Sequence, residues 1–535
     1  MLRRATLTGL LLCASFSLLA ATPTPSTTSN NDSCDISVTP AATLLLPYFE
    51  VDTAAAQGTG ATTLFTIVNT SRYPQIAHVT VWTDWAFPVL GFNVFLTGYD
   101  VQGINLFDVV VRGIIAPGAA GFSTSITTVT GSAQPAGTTI GATPLNNTAN
   151  PNFVTSGDFN VGTTCKNLPF SLGTELSDSV KNALTVGNSF HDNRVNCGSS
   201  PIGFNHGTIA KGYVTVDVVS YCTTQFPTDS NGRYFAGPTA PILFDNVLSG
   251  DYQQLGPAPA GTGTSTFDAG GGPLVHIHAV PEGGLSGADG GGPVATNLPF
   301  TFYDRYTPGG LRASDRRQPL PSAWTARYIQ GGPSGFATDL KIWREGITAG
   351  PADCATSRLN ANIGRTSIIR FDEHENSYGF FISSCTLGCT LPTTLGGATS
   401  RTATWSSNFP TLTGTDIGGW LYLNLSSGAR DDQGRCQPVL SAQRAGFGGC
   451  SNTAPGTGGS RTTSQNWVIT SMFGAVGVNR LSVDFDALAL GNGCSPAAEL
   501  LDSIGPAALR NGLVCPQNTS LSNCAPGTVP PPVNP

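Results

Sequence analysis

Two histidines one residue apart, His276 and His278, are the strongest candidates for chemistry in this chain. On a strand, residues i and i+2 point to the same face. Two neutral imidazoles there could share a Zn²⁺ or Cu²⁺ ion, with a third ligand drawn from elsewhere. His191, His206, His374, Asp268 and Glu282 are eligible by chemistry, and no spacing selects among them. The competing reading is two polar residues on a half-exposed strand beside glycine-rich turns. Asp372, Glu373, His374 and Glu375 form the densest acidic cluster in a chain with seven Glu. Paired carboxylates can cleave a glycosidic bond or hold Ca²⁺. A charged turn between strands at Ser367–Phe371 and Tyr378–Ile382 accounts for the same residues.

Arg312, Asp315, Arg316 and Arg317 make the only basic concentration. Guanidinium forks could grip a sugar acid or phosphate. The surrounding Pro308, Gly309, Gly310, Pro319 and Pro321 point instead to a solvated loop with an internal Asp–Arg pair. Trp82, Trp85, Trp324, Trp343, Trp405, Trp420 and Trp467 offer sugar-stacking platforms, although aromatic residues on strands usually belong to the core. Trp82 and Trp85 are three apart, which on a regular strand sends them to opposite faces.

Several chemistries lack their signatures. No Ser sits in G-x-S-x-G. There is no H-E-x-x-H, phosphate loop, EF-hand loop or C-x-x-C, and without C-x-x-C-H covalent haem attachment has no support. Charged residues make up 11% of the chain, against about 25% in ordinary soluble domains. The four lysines are Lys166, Lys181, Lys211 and Lys341. This sparse, net-acidic balance argues against nucleic acid or an anionic membrane as partner, since both require clustered cations.

The elements that must position these residues are mostly strands. Thr62–Asn69 alternates with Phe65 and Ile67 on one face, a polar turn follows, and Gln75–Trp82 alternates again. Asn93–Leu96 and Leu106–Val111 continue the series, and a further strand is expected near Phe122–Val129. Tyr213–Val219 sets Val214, Val216 and Val218 against Thr215 and Asp217. The second half repeats the pattern at Leu340–Trp343, Trp420–Leu425, Trp467–Met472 and, most sharply, Leu481–Ala487. Leu176–Leu184 and Pro496–Arg510 have helical spacing. The expected fold is mainly β: two β-sandwich domains, Ig-like or jelly-roll-like, with long Gly/Pro-rich loops and one or two short helices. They are expected at 37–255 and 300–515, separated by a Gly-rich linker or loop at 256–299, with a disordered leader at 22–36 and a Pro-rich tail at 516–535.

The first 21 residues have a signal peptide's composition: Arg3 and Arg4, an apolar stretch from Leu7 to Leu19, then Ala20 and Ala21. The apolar part is too short for a membrane span, and no later segment qualifies. Cleavage would remove Cys13 and leave Cys34, Cys165, Cys197, Cys222, Cys354, Cys385, Cys389, Cys436, Cys450, Cys494, Cys515 and Cys524. An even number in an oxidising compartment suggests disulfides, with connectivity open.

Thr43–Asp52, Thr62–Ser71, Val79–Leu106 with its Trp82 and Trp85, and Ser482–Cys494 resemble a recurrent group of secreted bacterial β-rich proteins with no assigned activity. The resemblance implies export and a single architecture, and brings no catalytic residues. The expectation is a secreted, periplasmic or envelope-surface protein that binds or assembles, with a cell-surface, polysaccharide or protein partner and no enzymatic activity. Two alternatives stand beside it. One is an extracellular hydrolase, metal-assisted through His276 and His278. The other is a protein that captures a divalent metal or a small ligand.

Overall fold

The computed structural model describes residues 38–115 (less 73–74), 170–188 (less 172–173), 202–219, parts of 223–256, 270–279, 301–303, parts of 315–345, 368–379 (less 376), 399–402, 417–424, 465–490 (less 477–478), 513–514 and 525–526. The expected signal peptide and leader, the strand near Phe122–Val129, the helix at Pro496–Arg510 and all twelve cysteines lie outside the described residues.

The first half contributes β1 (Thr43–Asp52), β2 (Thr62–Asn69), β3 (Gln75–Thr83), β4 (Pro88–Leu96), β5 (Val101–Asn105), β6 (Ile114–Ile115), β7 (Phe170–Ser171), β8 (Ile209–Val219), β9 (Leu248–Ser249), β10 (Asp251–Leu255), β11 (Gly271–Pro273) and β12 (Val275–Ile277). They form two sheets, β12-β1-β8-β3-β4 and β11-β10-β2-β5, with β9 added on β2 and a small β6-β7 pair apart. The strands of 271–277, inside the glycine-rich zone, supply edges to both sheets. The second half contributes β13 (Ala323–Ile329), β14 (Ala337–Arg344), β15 (Ile368–Asp372), β16 (Ser377–Gly379), β17 (Thr399–Thr402), β18 (Gly418–Asn424), β19 (Asn466–Val476), β20 (Asn479–Asp486), β21 (Leu488–Ala489) and the pair β22 (Leu513–Val514) and β23 (Ala525–Pro526). Its main sheets are β16-β15-β18-β13-β21 and β17-β14-β19-β20. The fold is mainly β, antiparallel and sandwich-like, without a closed barrel among the described residues. Helix α1 spans Thr174–Thr185 and buries Val180, Ala183 and Leu184. No helix among the described residues is long and apolar enough to cross a membrane.

The first sheet is covered on both sides. Its apolar face carries Leu44, Val214, Val216, Val79 and Val81, all at most 1% exposed, opposite Phe65 and Ile67 of β2. Its other face carries Thr43, Thr215, Asp217, His78 and Thr80, and these are equally buried. Buried side chains of the two sandwiches form one continuous cluster. Trp343 of β14 joins them, packing edge-on to Tyr213 of β8 with ring centroids 5.9 Å apart.

Two expectations are corrected. Leu106–Val111 is not a strand: the chain enters a π-helical turn at Asp108–Arg112, closed by Gly113 at φ 63°. The buried residues Leu106, Phe107, Val109 and Val110 have helical, not alternating, spacing. On β20 the alternation is real but its polarity is inverted. Val483 and Phe485 are 48% and 38% exposed, while the Asp484 side chain is 1% exposed.

Gly212 marks the tightest approach within the first sheet. A Cβ there would lie 2.0 Å from the Trp82 carbonyl oxygen and 3.0 Å from Phe49 Cζ. Gly212→Ala is expected to cost about 2 kcal/mol, seen as a lower urea midpoint at unchanged slope. Gly103→Ala, whose Cβ meets nothing within 4 Å, is expected to leave the midpoint nearly unchanged.

Candidate functional site

One cluster of buried charged residues is organised around Arg317. It lies in the 315–320 segment, fully buried, against the polar face of the first sheet. Nε donates to Thr43 Oγ1 and lies 3.5 Å from Asp217 Oδ1. Nη1 reaches Asp315 Oδ1 at 3.4 Å, and Nη2 donates to the carbonyls of Leu243 at 3.0 Å and Ala42 at 3.4 Å. Phe244 and Tyr303 present ring faces at 5.6 and 5.7 Å. Asp217 accepts from Tyr234 Oη at 2.7 Å, Tyr303 Oη at 2.9 Å and Thr43 Oγ1 at 2.5 Å. Burial lowers the guanidinium's pKa, and the two carboxylates outweigh it, so the group stays charged above its ordinary range. Burial, then Asp217's charge, drives both tyrosine hydroxyls well above the usual value. Asp315 and Arg317 therefore do pair, as expected, but in a dry interior and not in a solvated loop. Arg312 and Arg316 lie outside the described residues.

His276 and His278 sit at the first sandwich's rim. The register pairs His276 with Leu44, so its side chain points between the sheets and is 2% exposed. Its Nδ1 donates to the Leu274 carbonyl at 2.7 Å, and Nε2 faces Ser249 Oγ at 3.1 Å and the Gly250 N–H at 3.4 Å. His278 Nε2 bonds Thr39 Oγ1 at 2.7 Å. Both nitrogens of His276 thus have protein partners, which a metal ion at Nε2 would displace. Among the described residues no group of three or more His, Cys, Asp or Glu is assembled to hold an ion. His191, Asp268 and Glu282 lie outside them. His374 belongs to the exposed turn between β15 and β16, where Glu375 adopts φ 63° and Asp372 caps the His374 N–H at 2.8 Å.

One pairing could not be read from spacing. His206 Nε2 meets Asp84 Oδ2 at 2.6 Å across 122 residues, while Asp84 Oδ1 accepts from the Phe204 N–H at 3.1 Å. Asp84's side chain is 4% exposed and that of His206 20%. Trp85 packs edge-on against Phe204 at 5.3 Å. A carboxylate that orients an imidazole whose second nitrogen has no partner among the described residues is an acid–base arrangement. The nearby signal in sequence was Trp82-Thr-Asp-Trp85, whose partner loop nothing announces.

Arg317→Met strands Asp217 and Asp315 in the interior and is expected to cost about 3–5 kcal/mol. Adding Asp217→Asn should restore part of the loss, measured by chemical denaturation. His276 supplies a pH test. Burial lowers its pKa to about 4, the Leu274 hydrogen bond opposing and His278 adding to the shift. Below its ordinary 6.5 the unfolded chain takes up a proton that the folded chain refuses. The stabilisation is therefore complete above pH 6.5 and lost as pH falls through about 4. His276→Gln is expected to flatten the fall of the denaturation midpoint across that window.

No family model, no curated protein and no solved structure matches this chain.

Proposed function

We propose that this chain is an exported bacterial envelope or secreted protein that acts by binding or structural assembly, with residues 1–21 removed on export. The similarity of Thr43–Asp52 and Val79–Leu106 to secreted β-rich proteins supports export. The observation that carries the binding reading is the outer face of the β16-β15-β18-β13-β21 sheet. Register sets Leu488, Thr325 and Tyr422 in one row, and Arg327, Trp420 and Phe371 in the next, all on one face. Trp420 is 39% and Leu488 65% exposed. The Arg327 guanidinium lies 4.6 Å over the Trp420 ring, and its Nη2 is 2.5 Å from Glu373 Oε1. A sheet face carrying Trp, Tyr and Arg has the composition of binding hot spots, and it suits a polysaccharide ring or a protein surface.

The Asp84–His206 pair supports a second reading, an extracellular hydrolase in which His206 moves a proton. One experiment separates the two. Purified mature protein is titrated against envelope polysaccharide and outer-surface protein fractions, and assayed on ester, glycoside and peptide substrates. The binding reading expects saturable binding that Trp420→Ala weakens at least tenfold with the melting temperature unchanged. Turnover that His206→Ala abolishes would establish the hydrolase instead.

A further inference from the structure

Lys341 and Asp484 form a buried ion pair apart from the Arg317 cluster, and its geometry suits a covalent bond. The chain has four lysines. The side chains of Lys181 and Lys211 are 36% and 28% exposed, whereas that of Lys341 is 1% exposed, as is that of Asp484. The two residues lie on β14 and β20, which flank β19 in one sheet and are not neighbours. Lys341 Nζ is 2.5 Å from Asp484 Oδ2. A nitrogen at that distance lies roughly 3–3.5 Å from Cγ, the near-attack range for bond formation.

Both carboxyl oxygens receive hydroxyl donors. Ser471 Oγ donates to Oδ1 at 2.5 Å, and Tyr252 Oη, from the first sandwich, donates to Oδ2 at 3.3 Å. These donors draw electron density from Cγ and would stabilise an oxyanion there. The Gly270 backbone closes the site: a Cβ at 270 would stand 2.0 Å from Asp484 Cγ. Asp486 shares Asp484's face of β20 and lies in register with Ile469, which is itself opposite Lys341. Asp486 is exposed as a residue, but its carboxyl turns onto Trp467 Nε1 at 2.9 Å. Loss of water around that carboxyl raises its pKa to about 6, the Trp467 hydrogen bond opposing and Asp484's charge adding. A group so poised can accept and return a proton near neutrality.

We propose that Lys341 and Asp484 condense to an intramolecular amide, with Asp486 as the proton relay. Lys341 passes a proton to Asp486, and the neutral Nζ attacks Cγ. The Nζ–Cγ bond forms and the Cγ–Oδ2 bond breaks. Oδ2 leaves as water with two protons that began on the ammonium, one of them returned through Asp486. Oδ1 remains as the amide carbonyl oxygen, still bonded to Ser471. No oxidant, metal or co-reactant enters, and charge balances because an ammonium and a carboxylate give a neutral amide and water. The bond would lock β20 to β14 across β19, beside the Tyr252 contact between the sandwiches.

Intact-mass spectrometry of the purified protein, reduced, alkylated and denatured, tests this. The chain is expected to be lighter than its sequence by one water, and proteolysis should release a branched peptide pair holding Lys341 and Asp484. Lys341→Arg and Asp486→Asn should restore the full mass. Wild-type protein at full mass, with the two residues in separate linear peptides, overturns the bond whether or not any variant folds. A branched pair that persists in Asp486→Asn overturns the relay.

Discussion

The Arg317–Asp217 contact is the constraint around which the molecule is arranged. An isolated guanidinium in a dry interior costs several kcal/mol. Arg317 avoids that cost only because its partners come from several places at once: Asp217 on β8, Thr43 on β1, the carbonyl of Leu243, and Asp315 on its own segment. Each partner is useful only if the others are in place. A change in the pairing of β1 with β8, or in the placement of Asp315 and Tyr303, leaves a buried charge unmet. The same segment continues into the second sandwich, where Gln465 donates to the Thr301 and Phe302 carbonyls and accepts from the Leu320 N–H. A network of this kind contributes less to net stability than to specifying one arrangement over its alternatives.

This explains which parts of the fold were legible. The two-residue period of β2 and β8 is visible along the chain because one face of each strand packs its apolar residues into the core, and that of β20 is visible although its apolar residues turn outward. Period does not say what the other face meets. On β8 the polar side, Thr215 and Asp217, faces an aromatic and guanidinium layer contributed by residues 234, 303 and 317. On β20 Asp484 turns inward because Lys341 waits there, and the apolar Val483 and Phe485 turn out. Local alternation cannot carry that sign, since the deciding partner is far away in sequence. The π-helical turn at Asp108–Arg112 escaped for a simpler reason: a short run of β-branched residues fits a strand and a buried helical turn equally well.

The candidate sites divide the same way. The strand expected at His276 and His278 is present as β12 up to Ile277, yet His276 is buried rather than half-exposed, and what it does depends on Ser249 and Leu274. The Asp372–Glu375 cluster is readable as a turn because its cause is local. Asp84–His206 is not readable at all, because a loop must bring the imidazole to the carboxylate. The outer face of β13, β15 and β18 was hidden by a sound general rule, that tryptophan on a strand is usually core. Trp420 departs from it because Arg327, its cross-strand neighbour, shields one ring face.

Charge scarcity gives these features a common logic. A chain whose charged groups make up 11% of its residues has little long-range repulsion to keep it soluble or to steer partners. It nevertheless places several of those groups inside, at Arg317 beside the first sheet and at Lys341 and Asp484 where the sandwiches meet. Buried pairs at such points resist sliding, because a displacement of a few ångströms separates unlike charges where no water can compensate. Rigidity there matters to the aromatic face beyond it. Trp420, Tyr422 and Arg327 share one face only while β13 and β18 hold their register, and that register rests on inner-face residues such as Trp324, Tyr328 and Leu421 packing into the shared core. A preformed surface loses less entropy on binding than one that must be ordered by its partner. On this argument the interior charges bear on the outer face only through the shared core: they fix the elements against which the face-bearing sheet packs.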